Sequence, residues 1–222
     1  MPRVLLLPLL GLVCLLSACG GSGSSKSAQT QTNPQTQTNS SGCVTVSMPS
    51  TKARTGTKPT APLDASKTYD VVMKTNCGSF TIRLDPKQSP NAVASFVKLA
   101  QAKFFDKTVF HRIVPGFVIQ GGDPTASGTG GPGYTTVDKP PATASYDHGV
   151  VAMAKTGAQP AGTAGSQFFV VTADNAALTP DYAIIGKVTD GLDVVDRIGK
   201  LGNASEQPTE VVEIEQATVK TS

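Results

Sequence analysis

The chain has 222 residues and nearly balanced charge, 19 basic against 16 acidic side chains, for a formal net charge of +3. No Arg/Lys block or basic stripe breaks that balance, so a nucleic-acid partner has no electrostatic support. Charged residues are only 16% of the chain, while Gly and Pro number 22 and 16, a composition that suits turns and short strands better than long helices.

The first element is a leader. Arg3 gives a short basic start, and Val4 to Leu16 is almost wholly apolar, interrupted by Pro8, Gly11 and Cys14. A run this short reads as a signal-peptide core, because a spanning helix needs roughly 20 apolar residues. It ends in Leu16-Ser17-Ala18-Cys19, which resembles the bacterial lipobox. That resemblance implies removal of residues 1–18, a lipid on the Cys19 sulfur and an extracytoplasmic protein held on the cell membrane. The alternative is ordinary small-residue cleavage beside an incidental cysteine. Residues 19–66 are expected as a disordered tether and linker. The stretch 20–42 is Gly/Ser- and then Gln/Thr/Asn-rich without apolar periodicity, too polar to bury a core. Cys43 to Val46 has the make-up of a short strand, and 52–62 again reads as linker. Cys14 falls in the leader and Cys19 is the lipid candidate, which leaves Cys43 and Cys77 in an oxidising compartment. A disulfide between them is expected there; two free thiols are the alternative.

The folded domain is expected over 67–222. Tyr69 to Lys74 is rich in β-branched and apolar types, Asn76-Cys77-Gly78 is a turn, and Phe80, Ile82 and Leu84 alternate with Thr81 and Arg83. Together they predict a hairpin. Ser89 is a candidate N-cap with Pro90 in the first turn, and Val93, Phe96, Val97 and Ala100 recur at helical spacing, so one helix face packs on a sheet. Short strands are predicted at 109–114, 118–120, 150–154, 167–172 and 183–188, a second helix at 191–198 and a last strand at 211–216. Many short strands with two helices predict a mainly β fold, a closed antiparallel barrel with helices at its ends.

Several patterns carry no chemistry. Gly128-Thr129-Gly130-Gly131-Pro132-Gly133 has the letters of a dinucleotide loop, but Pro132 interrupts it and no amphipathic helix follows. His111 and His148 are the only histidines and form no metal-spaced pair. Gly165-Ser166-Gln167 is not a nucleophile elbow, and His111 reads as a packed, hydrogen-bonded histidine rather than a base. The informative segment runs from Phe110-His111-Arg112 to Gln120-Gly121-Gly122-Asp123. Arg112 sits among apolar residues, where an unpaired charge is costly. Taken alone it would be a structural charge. Phe117 and Gln120 follow within eight positions, and Gln167 and Phe169 repeat the pairing two residues apart, on one face of a strand. An apolar pocket holding a guanidinium and a few amides suits an apolar residue together with its peptide backbone.

Both segments resemble the signatures of the cyclophilin family, and agreement extends with changes from about Tyr69 to Val188, and more loosely to Glu215, including Met153-Ala154 and Ile185-Gly186-Lys187-Val188. The resemblance implies an eight-stranded barrel capped by two helices, a groove for proline-containing peptides, and peptidyl-prolyl cis-trans isomerase activity. It implies Arg112 as the catalytic arginine and Gln120 as the glutamine that helps hold arginine and substrate. Phe117, Val118, Phe169 and Leu178 take pocket positions for the proline ring. Ala154, Lys155 and Gln167 take the peptide-binding rim, and Tyr182 stands where many members have histidine. No metal, cofactor or nucleophile is implied. The expected partners are proline-containing peptides and unfolded exported proteins, with the membrane reached through the Cys19 lipid, and a monomer is expected. A non-catalytic proline-peptide binding or scaffold module at the cell surface is the alternative. Two positions depart from the family. Ala177 replaces the tryptophan that usually accompanies tight cyclosporin binding, which implies weak binding, and Lys155-Thr156 replaces a common Asn-Ala.

Overall fold

The computed structural model describes residues 38–222. The expected leader, the Cys19 lipidation site and the tether up to residue 37 lie outside the described residues.

The chain order is β1 (Tyr69–Thr75), β2 (Gly78–Leu84), α1 (Pro90–Gln101), β3 (Thr108–Val109), β4 (Arg112–Val114), β5 (Val118–Gly121), β6 (Thr136–Val137), β7 (Val150–Met153), β8 (Thr163–Ala164), β9 (Phe168–Val171), β10 (Ile184–Asp190), α2 (Leu192–Gly199) and β11 (Glu213–Thr221). Strand β1 buries Tyr69, Val71, Met73 and Thr75, the alternate positions that a pleated strand turns to one side. It pairs with β2, Met73 opposite Phe80, and on its other edge with β11. Helix α1 buries Ala92, Val93, Phe96, Val97 and Ala100. Its capping differs from the expectation. The Ser89 hydroxyl makes no cap bond; it donates to the Ile184 carbonyl at 2.6 Å and ties the helix start to β10. The distant Asp138 carboxylate accepts the Ala92 N–H at 2.6 Å instead, satisfying a first-turn donor with a negative charge.

The main sheet has nine antiparallel strands in the order β3-β11-β1-β2-β10-β7-β9-β5-β4, and β6 pairs with β8 apart from it. The expected closed eight-stranded barrel is therefore corrected to an open, curled nine-stranded sheet with two helices. The single strand expected over 109–114 explains the difference, because that segment changes partners midway. Val109 pairs with Glu213 of β11, whereas Arg112 pairs with Gln120 of β5. Phe110 and His111 lie between the two ladders, and the end strands β3 and β4 are two and three residues long. One isolated bridge joins Val109 of β3 to Asp123, two residues past β5. The strands β6 and β8, two residues each, are too short for a periodic signal and went unpredicted.

Inside the curl, Phe96, Phe105, Phe110 and Phe168 are fully buried, with ring centroids 4.8 Å apart for Phe96–Phe105 and 5.3 Å for Phe96–Phe168. A second cluster lies on the opposite face of β5, β7 and β9, built on Val118, Ala152, Phe169 and Val171. Alternation along β9 divides the faces: Phe168 and Val170 enter the main core, Phe169 and Val171 the second cluster.

Residues 38–66, expected as linker, run against the domain. Cys43 and Cys77 are joined by a disulfide. Buried Asn76 donates to the Val44 carbonyl at 2.8 Å and the Val211 carbonyl at 2.9 Å, and accepts the Glu213 N–H at 2.8 Å. The Arg54 guanidinium donates to the Phe104 and Asp106 carbonyls at 2.6 and 2.7 Å, and the Gly56 N–H to the Pro132 carbonyl at 2.8 Å. A polar composition does not prevent this, because the strap is held by single anchors rather than by an apolar face.

Candidate active site

The site grows from the β4–β5 hairpin. Pro115-Gly116 turns the chain, with Gly116 at φ +68, a conformation glycine adopts without strain. The tight turn sets the register so that Arg112 stands opposite Gln120, on the face away from the main core. Strand β9 then sets Phe169 beside Gln120, and β7 brings Ala152 next to Phe169. A face expected from the Gln-Phe spacing is thus assembled across three strands.

A pocket of about 350 Å³ opens on this face, lined by Arg112, Phe117, Val118, Gln120, Ala154, Lys155, Phe169, Leu178 and Tyr182. Nine of the ten residues named from the sequence meet in it. The tenth, Gln167, lies just before β9 and accepts a hydrogen bond from Gln120 Nε2 at 3.0 Å. Its own amide donates to the carbonyls of Gly128 and Gly130, each at 2.9 Å. Gln120 Oε1 is left facing Arg112 Nη1 at 3.4 Å. The amide chain runs in one direction, from the glycine loop through Gln167 and Gln120 toward the guanidinium.

Arg112 has a further partner: its Nε donates to Glu206 Oε2 at 2.6 Å. Sequence reasoning missed Glu206. It lies 94 positions away in a polar loop without periodicity, and no local signal connects the two.

The rim is held by aromatic contacts. The Tyr182 ring meets Phe169 edge-on, 5.4 Å between centroids. Buried Tyr146 donates its hydroxyl proton to the Tyr182 carbonyl at 2.8 Å and accepts the Tyr182 N–H at 3.0 Å. Burial pushes the Tyr146 hydroxyl above its usual range, so it remains a donor at neutral pH. Lys155 Nζ lies 5.4 Å from the Tyr182 ring centre and donates to the Gln159 carbonyl at 3.2 Å.

Next to this pocket lies a second of about 630 Å³, sharing Gln120, Ala154 and Lys155 and walled by Gly128 to Thr135. The loop with the dinucleotide-like letters is this wall. Gly130 packs so tightly that a Cβ would sit 2.0 Å from Asp123 Oδ1, which explains glycine there by close approach. His111 lines neither pocket. Burial holds its imidazole below the ordinary 6.5, with Gln167 and Val109 near enough to oppose this weakly, though neither ring nitrogen makes a well-aligned hydrogen bond among the described residues. Among the described residues no cluster of three or more His, Cys, Asp or Glu side chains could hold a metal ion.

An open curl carrying one guanidinium, an amide chain and an apolar slot matches a known family. The family model for cyclophilin type peptidyl-prolyl cis-trans isomerase/CLD matches residues 70–219. The chain belongs to the cyclophilin family. The cyclophilin is 39% identical over 169 residues to peptidyl-prolyl cis-trans isomerase B of Streptomyces anulatus, covering 67% of this chain and 95% of that protein. It is 37% identical over 171 residues to peptidyl-prolyl cis-trans isomerase A of Mycobacterium tuberculosis, covering 68% and 92%. The fold is similar to a crystal structure of a Cryptosporidium parvum cyclophilin type peptidyl-prolyl cis-trans isomerase, with a TM-score of 0.64 and 32% identity over 69% of this chain and 98% of that one. A second structure of that protein, determined in the presence of the dipeptide Ala-Pro, gives a TM-score of 0.63. The cyclophilin is accordingly a peptidyl-prolyl cis-trans isomerase.

Proposed function

We propose that this cyclophilin isomerises X-Pro bonds of exported or cell-surface proteins and so speeds their folding, with Arg112 as the donor to the prolyl nitrogen. The observation that carries the reading is the single pocket in which Arg112 and Gln120 face the apolar set of Phe117, Val118, Phe169 and Leu178. Rotation about an amide must overcome a barrier of roughly 18–20 kcal/mol, set by resonance. Midway, the nitrogen lone pair is localised and becomes a hydrogen-bond acceptor, which it is not in either planar isomer. A donor aimed at that nitrogen stabilises the twisted amide selectively, as catalysis requires. Arg112 stays protonated and offers a rigid fork of donors.

The apolar residues hold the pyrrolidine ring, and Gln120 with Gln167 and the rim at Ala154 and Lys155 engages the flanking peptide. One charge-assisted hydrogen bond contributes about 1.5–3 kcal/mol, about tenfold to a hundredfold in rate. Ring positioning and exclusion of water supply the remainder.

Placement outside the cytoplasm is supported by the apolar leader ending in Ser17-Ala18-Cys19 and by the Cys43–Cys77 disulfide, a bond that persists in oxidising compartments. Turnover of an X-Pro peptide by the purified protein, beside Arg112→Ala, tests the site. The variant is expected to be about tenfold to a hundredfold slower while still binding peptide. Equal rates for the two proteins reject Arg112 as the donor.

A further inference from the structure

We propose that Glu206 is a positioning residue for the isomerase reaction, fixing the Arg112 guanidinium so that its outer nitrogens face the prolyl amide. The inference rests on Arg112 being the donor. Glu206 does not line the pocket and acts only through the arginine. Its Oε2 takes the Nε–H at 2.6 Å, the inner end of the guanidinium. Nη1 is then 3.4 Å from Gln120 Oε1, and among the described residues Nη2 makes no hydrogen bond. One end is gripped, one nitrogen is steadied and one is left for the substrate.

The loop that presents Glu206 is built for rigidity. Asn203 Oδ1 accepts the N–H groups of Ser205 at 2.8 Å and Gln207 at 3.1 Å. The Asn203 N–H donates to the Gln207 carbonyl and the Glu206 N–H to the Asn203 carbonyl, both at 2.9 Å. The Glu206 carbonyl in turn accepts the Ile113 N–H at 3.0 Å, one residue from Arg112. Gly202 lies so close to β4 that a Cβ there would sit 2.2 Å from the Ile113 carbonyl oxygen. The loop is thus locked to the strand that carries the arginine, and the carboxylate reaches Nε from a fixed base.

Glu206 also has φ +62, a left-handed conformation that a glutamate adopts only at a cost in strain. The ion pair does not fully offset that cost through stability. Its side chains are 32% and 49% exposed, and pairs this exposed contribute little to folding, enough to bias a rotamer but less than backbone strain costs. Strain that the pair offsets only in part, at the residue that grips Arg112, fits a positioning role. An arginine free to change rotamers offers its fork in the required direction only part of the time. A carboxylate carried on a fixed loop backbone narrows that freedom before substrate arrives.

The test is steady-state turnover of an X-Pro peptide by the full chain and its Glu206→Ala, Glu206→Gln, Glu206→Gly and Arg112→Ala variants, together with the Arg112→Ala/Glu206→Ala double variant. Losing one held rotamer is expected to lower kcat about three- to tenfold in Glu206→Ala, with KM little changed because the effect falls on the transition state. Glu206→Gln should recover part of the loss, since a neutral amide oxygen still accepts from Nε. Glu206→Gly should be as slow as Glu206→Ala yet melt no lower than wild type, because it relieves the positive φ. In the Arg112→Ala background the Glu206→Ala change should do nothing further. Wild-type or higher kcat in Glu206→Ala overturns the proposal. So does an equal fold-loss with and without Arg112, or a loss of kcat that only tracks a lowered Tm. If Arg112→Ala itself turns over at the wild-type rate, the donor reading and this inference fall together. If Arg112→Ala is slow and Glu206→Ala is not, this inference alone falls.

Discussion

Replacing Cys43 by Ser isolates what the strap contributes to the cyclophilin. The Cys43–Cys77 bond closes a loop of 34 residues between the strap and the β1–β2 turn, so cutting it returns loop entropy to the unfolded chain. For a loop of that length the chain-entropy relation gives about 4 kcal/mol. This is a large share of the roughly 5–15 kcal/mol by which a domain is stable. For a domain of this size, at roughly 2–4 °C per kcal/mol, Tm should fall by about 8–16 °C. Neither sulfur belongs to the pocket around Arg112, so turnover of an X-Pro peptide well below the melting temperature should be nearly unchanged. Thermal unfolding of wild type with and without reductant, beside Cys43→Ser, reads the effect, with peptide turnover measured on the same samples. A drop below about 1 kcal/mol would show that the strap hydrogen bonds, not the covalent loop, hold this end of the fold.

Three other outcomes are expected. His111 is held below its ordinary 6.5 by burial, the nearby Asp123 carboxylate only partly opposing this and the Arg112 guanidinium adding to it. The native state then binds fewer protons than the unfolded chain. Stability should be fully present above the unfolded value of 6.5 and fall with pH below it, toward the folded value. In urea titrations at about pH 7.5 and about pH 5.5, His111→Phe should lose less stability than wild type, and an equal slope in both proteins contradicts this. Cyclosporin should inhibit turnover weakly, because Ala177 offers no indole to the ligand; nanomolar inhibition rules this out. Metabolic labelling with a radioactive fatty acid should mark the wild-type chain in a bacterial host and leave Cys19→Ser unmarked. Equal labelling of the two would remove the lipid anchor from the reading.

Much of the site was legible because its residues come from short contiguous stretches with local rules. Arg112, Phe117 and Gln120 share a hairpin whose register follows from one tight turn, and Phe169 follows from alternation along one strand. The second helix was legible for a similar reason: its apolar positions repeat within one segment of eight residues. Periodicity had nothing to say about long-range contacts made by single polar groups. The Asp138 cap on α1, the Arg54 grip on the Phe104 and Asp106 carbonyls and the Glu206 hold on Arg112 each join segments dozens of residues apart. Each depends on one side chain of a common type, which leaves no pattern to read.

What the sequence by itself determined was the alphabet of elements and the Arg112, Phe117, Gln120 and Phe169 core of the pocket, since alternation, turn residues and helical spacing act within a few residues of each other; Val118, Ala154, Lys155, Leu178 and Tyr182 were placed there by the resemblance to the cyclophilin family. Only the tertiary structure decided that the 109–114 segment divides between two partners, so that the sheet stays open at nine strands, and that residues 38–66 lie on the domain. It alone decided that the guanidinium at Arg112 is gripped from a distant loop. The physical reason is that partner choice is settled by packing and by the hydrogen-bonding needs of buried backbone, and those are satisfied only once the whole chain is in place.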